Sequence, residues 1–176
     1  RIIDGEKIIL GNRSWIVRVG NGHAPVHLTL WCEDEPIVIA GDQIISSISP
    51  NLGVYATEPE ADPVQEWLTS CEAFLPFSND KQLVLPGHKL PFYGLPHRLK
   101  QLIENHHDAL TRLVAFLKEP QTAVDCFPVL FNRKISENEY GLALVEAVAH
   151  LNHLYRKKIV KRELNSKGAY VYTLKN

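Results

Sequence analysis

The chain has 176 residues, one ordinary domain or a domain with a small appendage, and at this size about 70% of the unfolded surface can be buried without staples. With 45% hydrophobic and 22% charged residues it is composed like a soluble globular protein, which excludes a disordered tail, a collagen-like fibre and a disulfide-packed mini-domain. Nineteen Lys and Arg against twenty Asp and Glu leave a net charge of -1, so a uniformly basic nucleic-acid binder is excluded while a local basic patch is not.

Residues 1–42 read as short β-strands. Ile2-Ile3 and Ile8 to Leu10 flank Asp4-Gly5-Glu6-Lys7, and Trp15 to Val19, His27 to Trp31 and Pro36 to Ala40 follow as an antiparallel meander. Gly11-Asn12, Gly20-Asn21-Gly22 and Glu33-Asp34-Glu35 supply its turns. Gln43 to Ala61 is rich in Ser, Pro and Gly without a period, the pattern of a long loop bordering a site.

Asp62 and Pro63 open a predicted helix whose apolar face is Val64, Trp67, Leu68, Cys71, Phe74 and Leu75, ending near Pro76. Gln82 to Leu85 is a strand buried on both faces, stopped by Pro86-Gly87. Leu99, Leu102, Ile103, His106, Leu110, Leu113, Val114 and Leu117 trace a longer helical stripe, ended by Pro120.

After Pro120 the pattern changes. Thr122 to Phe131 reads as a short helix, and Ser136 caps a helix from about Glu137 to Tyr155 with Tyr140, Leu144, Val148, Leu151 and Tyr155 inward. Strands Ile159 to Leu164 and Ala169 to Leu174 flank Asn165-Ser166-Lys167-Gly168. Helix, helix, hairpin is the layout of a winged helix. Residues 133–176 hold nine Lys and Arg against four Asp and Glu, so the basic charge gathers here.

Cys32, Cys71 and Cys126 are odd in number and far apart, so they form neither a Cys-x-x-Cys pair nor a closed disulfide set, and a reducing, cytoplasmic setting is expected. Charges in the first seven residues, and the lack of an apolar run near 18 residues, predict no secretion and no membrane partner. The chain begins at Arg1 and has no methionine. That predicts a removed start residue or a missing N-terminal part.

Three segments place a metal-competent side chain just beyond an apolar strand: Gly22-His23-Ala24-Pro25-Val26-His27, Ala40-Gly41-Asp42-Gln43 and Leu85-Pro86-Gly87-His88. A small residue before each candidate lets the backbone turn sharply at the strand end. Two imidazoles and a carboxylate meeting at a sheet edge suit zinc, and they also suit iron or manganese. Any one of these alone has an ordinary reading, since an Asp after Gly is usually a turn and most of eight histidines should be structural or solvated.

Gly-His-x-Pro-x-His, followed by apolar-Ala-Gly-Asp and then by apolar-Pro-Gly-His, resembles the second half of the metallo-β-lactamase superfamily. The resemblance covers essentially the whole chain, and the helix with His106-His107 and the terminal helix-and-hairpin region look like the branch with a C-terminal winged helix. It implies an αβ/βα sandwich half over residues 1–118, a winged-helix domain over 119–176, and a metal-ligand set of His23, Asp42 and His88. In the family the aspartate bridges two zinc ions, which makes Asp42 catalytic, and His27 takes a proton-shuttling role. Val26 stands where the family often has glycine. The principal signature, His-x-His-x-Asp-His, occurs nowhere here, and His106-His107-Asp108 lacks both its spacing and its order.

The resemblance therefore implies a fragment of a dinuclear metal hydrolase that cleaves a small-molecule ester or thioester through a metal-bound hydroxide. Without its N-terminal half the fragment is expected to bind metal weakly or not at all and to be inactive, and its open sheet face to find that half or a second copy. Two other functions stand beside this one. A metal-dependent endoribonuclease would hold single-stranded RNA with Arg156, Lys157, Lys158, Lys161, Arg162 and Lys167, and a non-catalytic interaction module would use neither site. His106 reads as a packed core histidine, His97 and His107 as solvated, and His150 and His153 as having no chemistry. Phe92, Tyr93, Ser49 and Asn51 are candidates for lining a substrate pocket.

Overall fold

The structure, a computed structural model, describes residues 2–175. It groups the residues up to Pro50 with Glu66–Ile103 in one compact unit, and Asn51–Gln65 with the residues from Glu104 onward in another. The grouping follows packing and not chain order, whereas the sequence reading places all of 1–118 in one domain.

In the first unit, β1 (Lys7–Leu10), β2 (Arg13–Gly20), β3 (His27–Cys32) and β4 (Ile37–Gly41) form the antiparallel meander expected. The fifth strand, β5 (Leu83–Pro86), pairs parallel to β4 and closes a sheet of order β1-β2-β3-β4-β5. Ile2-Ile3 is not a strand. The Ile3 N–H donates to the Glu6 carboxylate at 3.0 Å and the Glu6 N–H returns to the Ile3 carbonyl, which turns the chain at Asp4-Gly5 instead.

Opposed residues of an antiparallel pair share a face. Register therefore sets Thr29, Trp31, Val38, Ala40 and Val84 on one side, every one of them buried. The helix α1 (Pro63–Phe74) supplies the Phe74 ring, 5.7 Å from that of Trp31. Trp67, Leu68, Cys71 and Phe74 are buried as their spacing predicts, each large side chain contributing roughly 1.5–3 kcal/mol. The opposite side carries Val17, Leu28, Leu30, Ile39 and Leu85. Val17 is fully buried, but Leu30, Ile39 and Leu85 are only half-buried and Leu28 is 40% exposed. Both faces of this sheet are apolar.

The long helix α2 (Leu95–Phe116) begins one turn before the expected stripe, because Pro96 suits a first turn whose N–H groups have no helical partner. Its later residues belong to the second unit, with α3 (Phe127–Phe131), α4 (Tyr140–Arg156), β6 (Val160–Leu164) and β7 (Tyr170–Leu174). The helix expected from Thr122 starts only at Phe127. Asp125 accepts from both the Thr122 N–H, 2.8 Å, and its hydroxyl, 2.6 Å, and locks those residues in a turn. Ser136 opens the next helical segment as expected, its N–H and hydroxyl both donating to Glu139.

The buried stripe of α4 differs from the predicted one. Ala143, Ala147, His150, Leu151 and Leu154 face inward, while Tyr140 is 45% exposed. Alanines let a helix backbone approach its neighbours closely, and a tyrosine with a polar tip fits better at the rim. The hairpin is closed by Asn165, whose side-chain oxygen accepts from the Lys167 and Ala169 N–H groups.

Candidate functional site

Strand directions bring the three glycine-containing turns to one end of the sheet. Because β4 and β5 run parallel, Gly41-Asp42 and Gly87-His88 leave the same edge side by side, and the Gly87 N–H donates to the Gly41 carbonyl at 2.8 Å. Antiparallel β2 ends there too, with Gly20 opposite His27, so His23 lies in the turn between them.

Asp42 sits between two imidazoles. Its Oδ1 lies 2.6 Å from His88 Nδ1, and its Oδ2 lies 3.8 Å from His23 Nε2. Asp42 and His23 are each about a quarter exposed, whereas His88 is 68% exposed at the rim. The His27 ring stands 6.0 Å from that of His23. Burial, and next the His23 charge, hold His27 below its ordinary value, while Asp42 and the Ala40 backbone pull the other way.

Two of the glycines are required by contact. At Gly41, φ is +53°, and a Cβ would stand 2.6 Å from His27 Nε2. At Gly87 a Cβ would stand 2.6 Å from Asp42 Oδ1. Any larger residue at either place would push a site side chain away.

Imidazole and carboxylate are the donor types a zinc ion takes, at about 2.0–2.2 Å each. Two donors on one tetrahedral ion then stand about 3.4 Å apart. The His23–Asp42 separation is close to that, but the His88–Asp42 contact is a hydrogen bond, too short for both atoms to bind one ion. Among the described residues no group of three or more His, Cys, Asp or Glu is arranged to hold a metal ion. The chemistry of the donors fits a metal, and of their spacings that of His23 and Asp42 alone is near the one expected of two donors on one ion.

Two positioning residues carry no motif and escape a reading by sequence. Gln43 is fully buried, and Gly20 leaves room for its side chain, which donates to the Asn21 carbonyl at 3.3 Å. Arg98 is buried and donates to the Ile45 carbonyl at 2.7 Å and to that of Ile48 at 2.9 Å, pinning the chain that follows Asp42. An arginine one residue before Leu99 on an apolar stripe was the only available signal.

The remaining candidates separate. Tyr93 is 65% exposed, and Phe92 lies alongside β5 in an isolated antiparallel bridge to Val84. Ser49 is half-buried in the loop after Asp42, and Asn51 is engaged in the second unit, donating to Glu146 at 2.7 Å. His97 and His107 are exposed, as expected. His106 is buried with its Nδ1 3.0 Å from His150 Nε2. His153 is buried 3.0 Å from Asp62.

Comparison with known proteins adds to this geometry. Residues 110–175 match the family model described as metallo-beta-lactamase-like, C-terminal domain. A β-lactamase domain protein from Burkholderia ambifaria is 33% identical with a TM-score of 0.94, over 99% of this chain and 51% of its own. A metallo-β-lactamase family protein from Thermus thermophilus is 28% identical with a TM-score of 0.84, over 99% of this chain and 54% of its own. The chain thus spans about half the length of these two relatives. No curated protein sequence matches it. Among the described residues no helix is long and apolar enough to cross a membrane. The order of the three turns, the family match over residues 110–175 and the two structural likenesses agree in their direction: the chain is similar to proteins of the metallo-β-lactamase superfamily.

Proposed function

We propose that this chain supplies one half of a metal-dependent hydrolase, dinuclear when whole, that cleaves a small-molecule ester or thioester. The observation that carries the reading is the meeting of His23, Asp42 and His88 at one sheet end. His23, Asp42 and His88 would hold the ions, zinc being the first choice, and zinc supplies a bound water with its pKa lowered to roughly 7.

This chain's own residues do the positioning. The Asp42 carboxylate hydrogen-bonds His88 through Oδ1 and turns Oδ2 toward His23, which orients both imidazoles at the sheet end. Gly87 keeps the space beside that carboxylate open, and Gly41 does the same beside His27, to which we assign proton movement. Arg98 fixes the carbonyls of Ile45 and Ile48, so the segment after Asp42 overhangs the site in a set path.

The missing donors belong, in this reading, to a partner half that packs on the open side of the sheet, around Leu28, Leu30, Ile39 and Leu85. Half-buried apolar side chains in one continuous patch support that placement. The helix, helix and hairpin after residue 119 would form the appended winged helix.

The test is reconstitution. The chain is assayed with zinc on p-nitrophenyl acetate and on an acyl-thioester, alone and with the N-terminal half of the Burkholderia ambifaria relative. Alone it should be inactive; with that half it should hydrolyse at least one of the two, and Asp42→Asn should lower the rate by a hundredfold or more. A reconstituted complex that binds zinc and hydrolyses neither substrate would overturn the proposal.

A further inference from the structure

We infer that Asn21 and the α1 residue Ser70 are positioning residues for His23, holding the turn that carries it against the turn that carries Asp42. The inference rests on the reading of His23 and Asp42 as metal donors, and every contact behind it lies within the first unit.

Asn21 stands two residues before His23, and three of its polar groups go to three different partners. Its N–H donates to the Ser70 hydroxyl at 2.9 Å. Its carbonyl accepts from the side chain of Gln43, the residue after Asp42, at 3.3 Å. Its side-chain oxygen accepts from the Val26 N–H at 3.0 Å, which closes residues 21–26 into a loop around His23. A backbone N–H can only donate, so that last contact also fixes which way the Asn21 amide faces. Through one residue the loop is tied to α1, to the Asp42 turn and to itself.

Ser70 gives the tie to α1 its direction. It is 6% exposed, and its hydroxyl donates to the Glu66 carbonyl at 2.8 Å, so what it offers Asn21 is an acceptor oxygen already oriented by the helix. Without that hydroxyl the Asn21 N–H would lose its acceptor in a half-buried place, where an unmade hydrogen bond is costly. Gly20 lets the loop come this close, since a Cβ there would stand 2.4 Å from the Gln43 side chain. Gly22, at a φ of +98°, then turns the chain into His23. His88 is held by other means, its own hydrogen bond to Asp42 and the contact of Gly87 with Gly41 across the parallel strands. Loss of the Asn21 or Ser70 contacts should therefore disturb His23 and leave His88 in place.

The test uses the full chain without metal and reads NMR signals of the amides and histidine rings, so its outcome is independent of whether the chain takes part in hydrolysis. Ser70→Ala should speed hydrogen exchange of the Asn21 amide about tenfold, and Asn21→Ala should do the same to the Val26 amide. Both variants should weaken the NOE contacts between the His23 and His27 rings, whose centres are 6.0 Å apart, with the His88 signals unmoved. Asn21→Asp keeps the oxygen that Val26 uses and should restore the Val26 protection and the ring contacts. A purely structural role predicts otherwise: His88 would move with His23, as it would in a variant that fails to fold. Unchanged His23–His27 contacts in both alanine variants, no recovery in Asn21→Asp, or His88 signals displaced as far as those of His23 would each overturn the inference.

Discussion

Val26 holds a φ of +53°, a region where a β-branched side chain crowds its own backbone at a cost of about 1–2 kcal/mol. Its side chain is 60% exposed and recovers little of that by packing. The conformation is imposed by the turn, in which the Val26 N–H donates to the Asn21 side chain at 3.0 Å while His27 starts β3. Val26→Gly should therefore stabilise the protein, by about 1 kcal/mol after the greater chain entropy of glycine is subtracted, raising the melting temperature by about 2–4 °C. A melting temperature that falls would show that the valine is not strained. The three candidate ligands were legible because each stands directly after a glycine at a strand end. Arg98 was not, because its partners are backbone carbonyls about fifty residues earlier in the chain, and nothing in a carbonyl's sequence marks it as needing a donor.

At the level of elements, α4 gathers titratable groups whose effects on stability oppose one another. His150 Nδ1–H donates to the Glu146 carbonyl at 2.9 Å, which leaves its Nε2 to accept from His106 Nδ1–H at 3.0 Å. Both rings are therefore neutral in the fold. Burial is the first cause that holds both well below 6.5; on His106 the neighbouring His150, His107 and His153 add to it, while on His150 the Glu146 carbonyl opposes it most, followed by smaller opposed contributions from His153, Asp62 and Arg112. Unfolded, both would take up protons below pH 6.5, so stability is lost as pH falls from there, by about 1.4 kcal/mol per unit for each ring. Asp62 adds to the acid side. Burial works against its ionisation, but hydrogen bonds from His153 and the Gln65 N–H, with Arg156 beyond, hold it below 3.8, and its contribution disappears as pH falls past that value. Glu146 has the reverse sign. Burial lifts it to about 7 against the Asn51 amide and Arg133, so its contribution is complete below 4.5 and is lost as pH rises through 7. Together these groups place maximum stability near pH 6.5. Urea midpoints between pH 4.5 and 8 should show that maximum, and Glu146→Gln should remove the alkaline decline; an unchanged decline in the variant would refute the assignment. The stripe of α1 was readable because its large apolar residues recur without a polar competitor, whereas on α4 the conspicuous tyrosines conceal the alanines and histidines that pack inside.

For the molecule as a whole, what the sequence could not reveal was which side of the sheet is covered. Strands such as Ile37–Gly41 and Leu83–Pro86 are apolar at every position, and a run without alternation says that both sides can be buried without saying what buries them. Register resolves it. Trp31, Val38 and Val84 lie under cover, while Leu28, Leu30, Ile39 and Leu85 share the other side with their apolar surface partly in water. A patch of this kind on a chain that spans half of its relatives should be sticky. Sedimentation at rising concentration should show reversible self-association, weakened by added salt little if at all, since the contact is apolar. Leu28→Glu places a charge on the most exposed member of the patch, where little packing is lost. It should shift the chain toward monomer by about tenfold in dissociation constant, with a change in unfolding free energy below about 1 kcal/mol. The same substitution should weaken docking of the added N-terminal half in the reconstitution, because both contacts would use one surface. If Leu28→Glu leaves association and docking as they were, the partner half does not lie on this face, and the donors that complete the His23, Asp42 and His88 set must reach the site by another route.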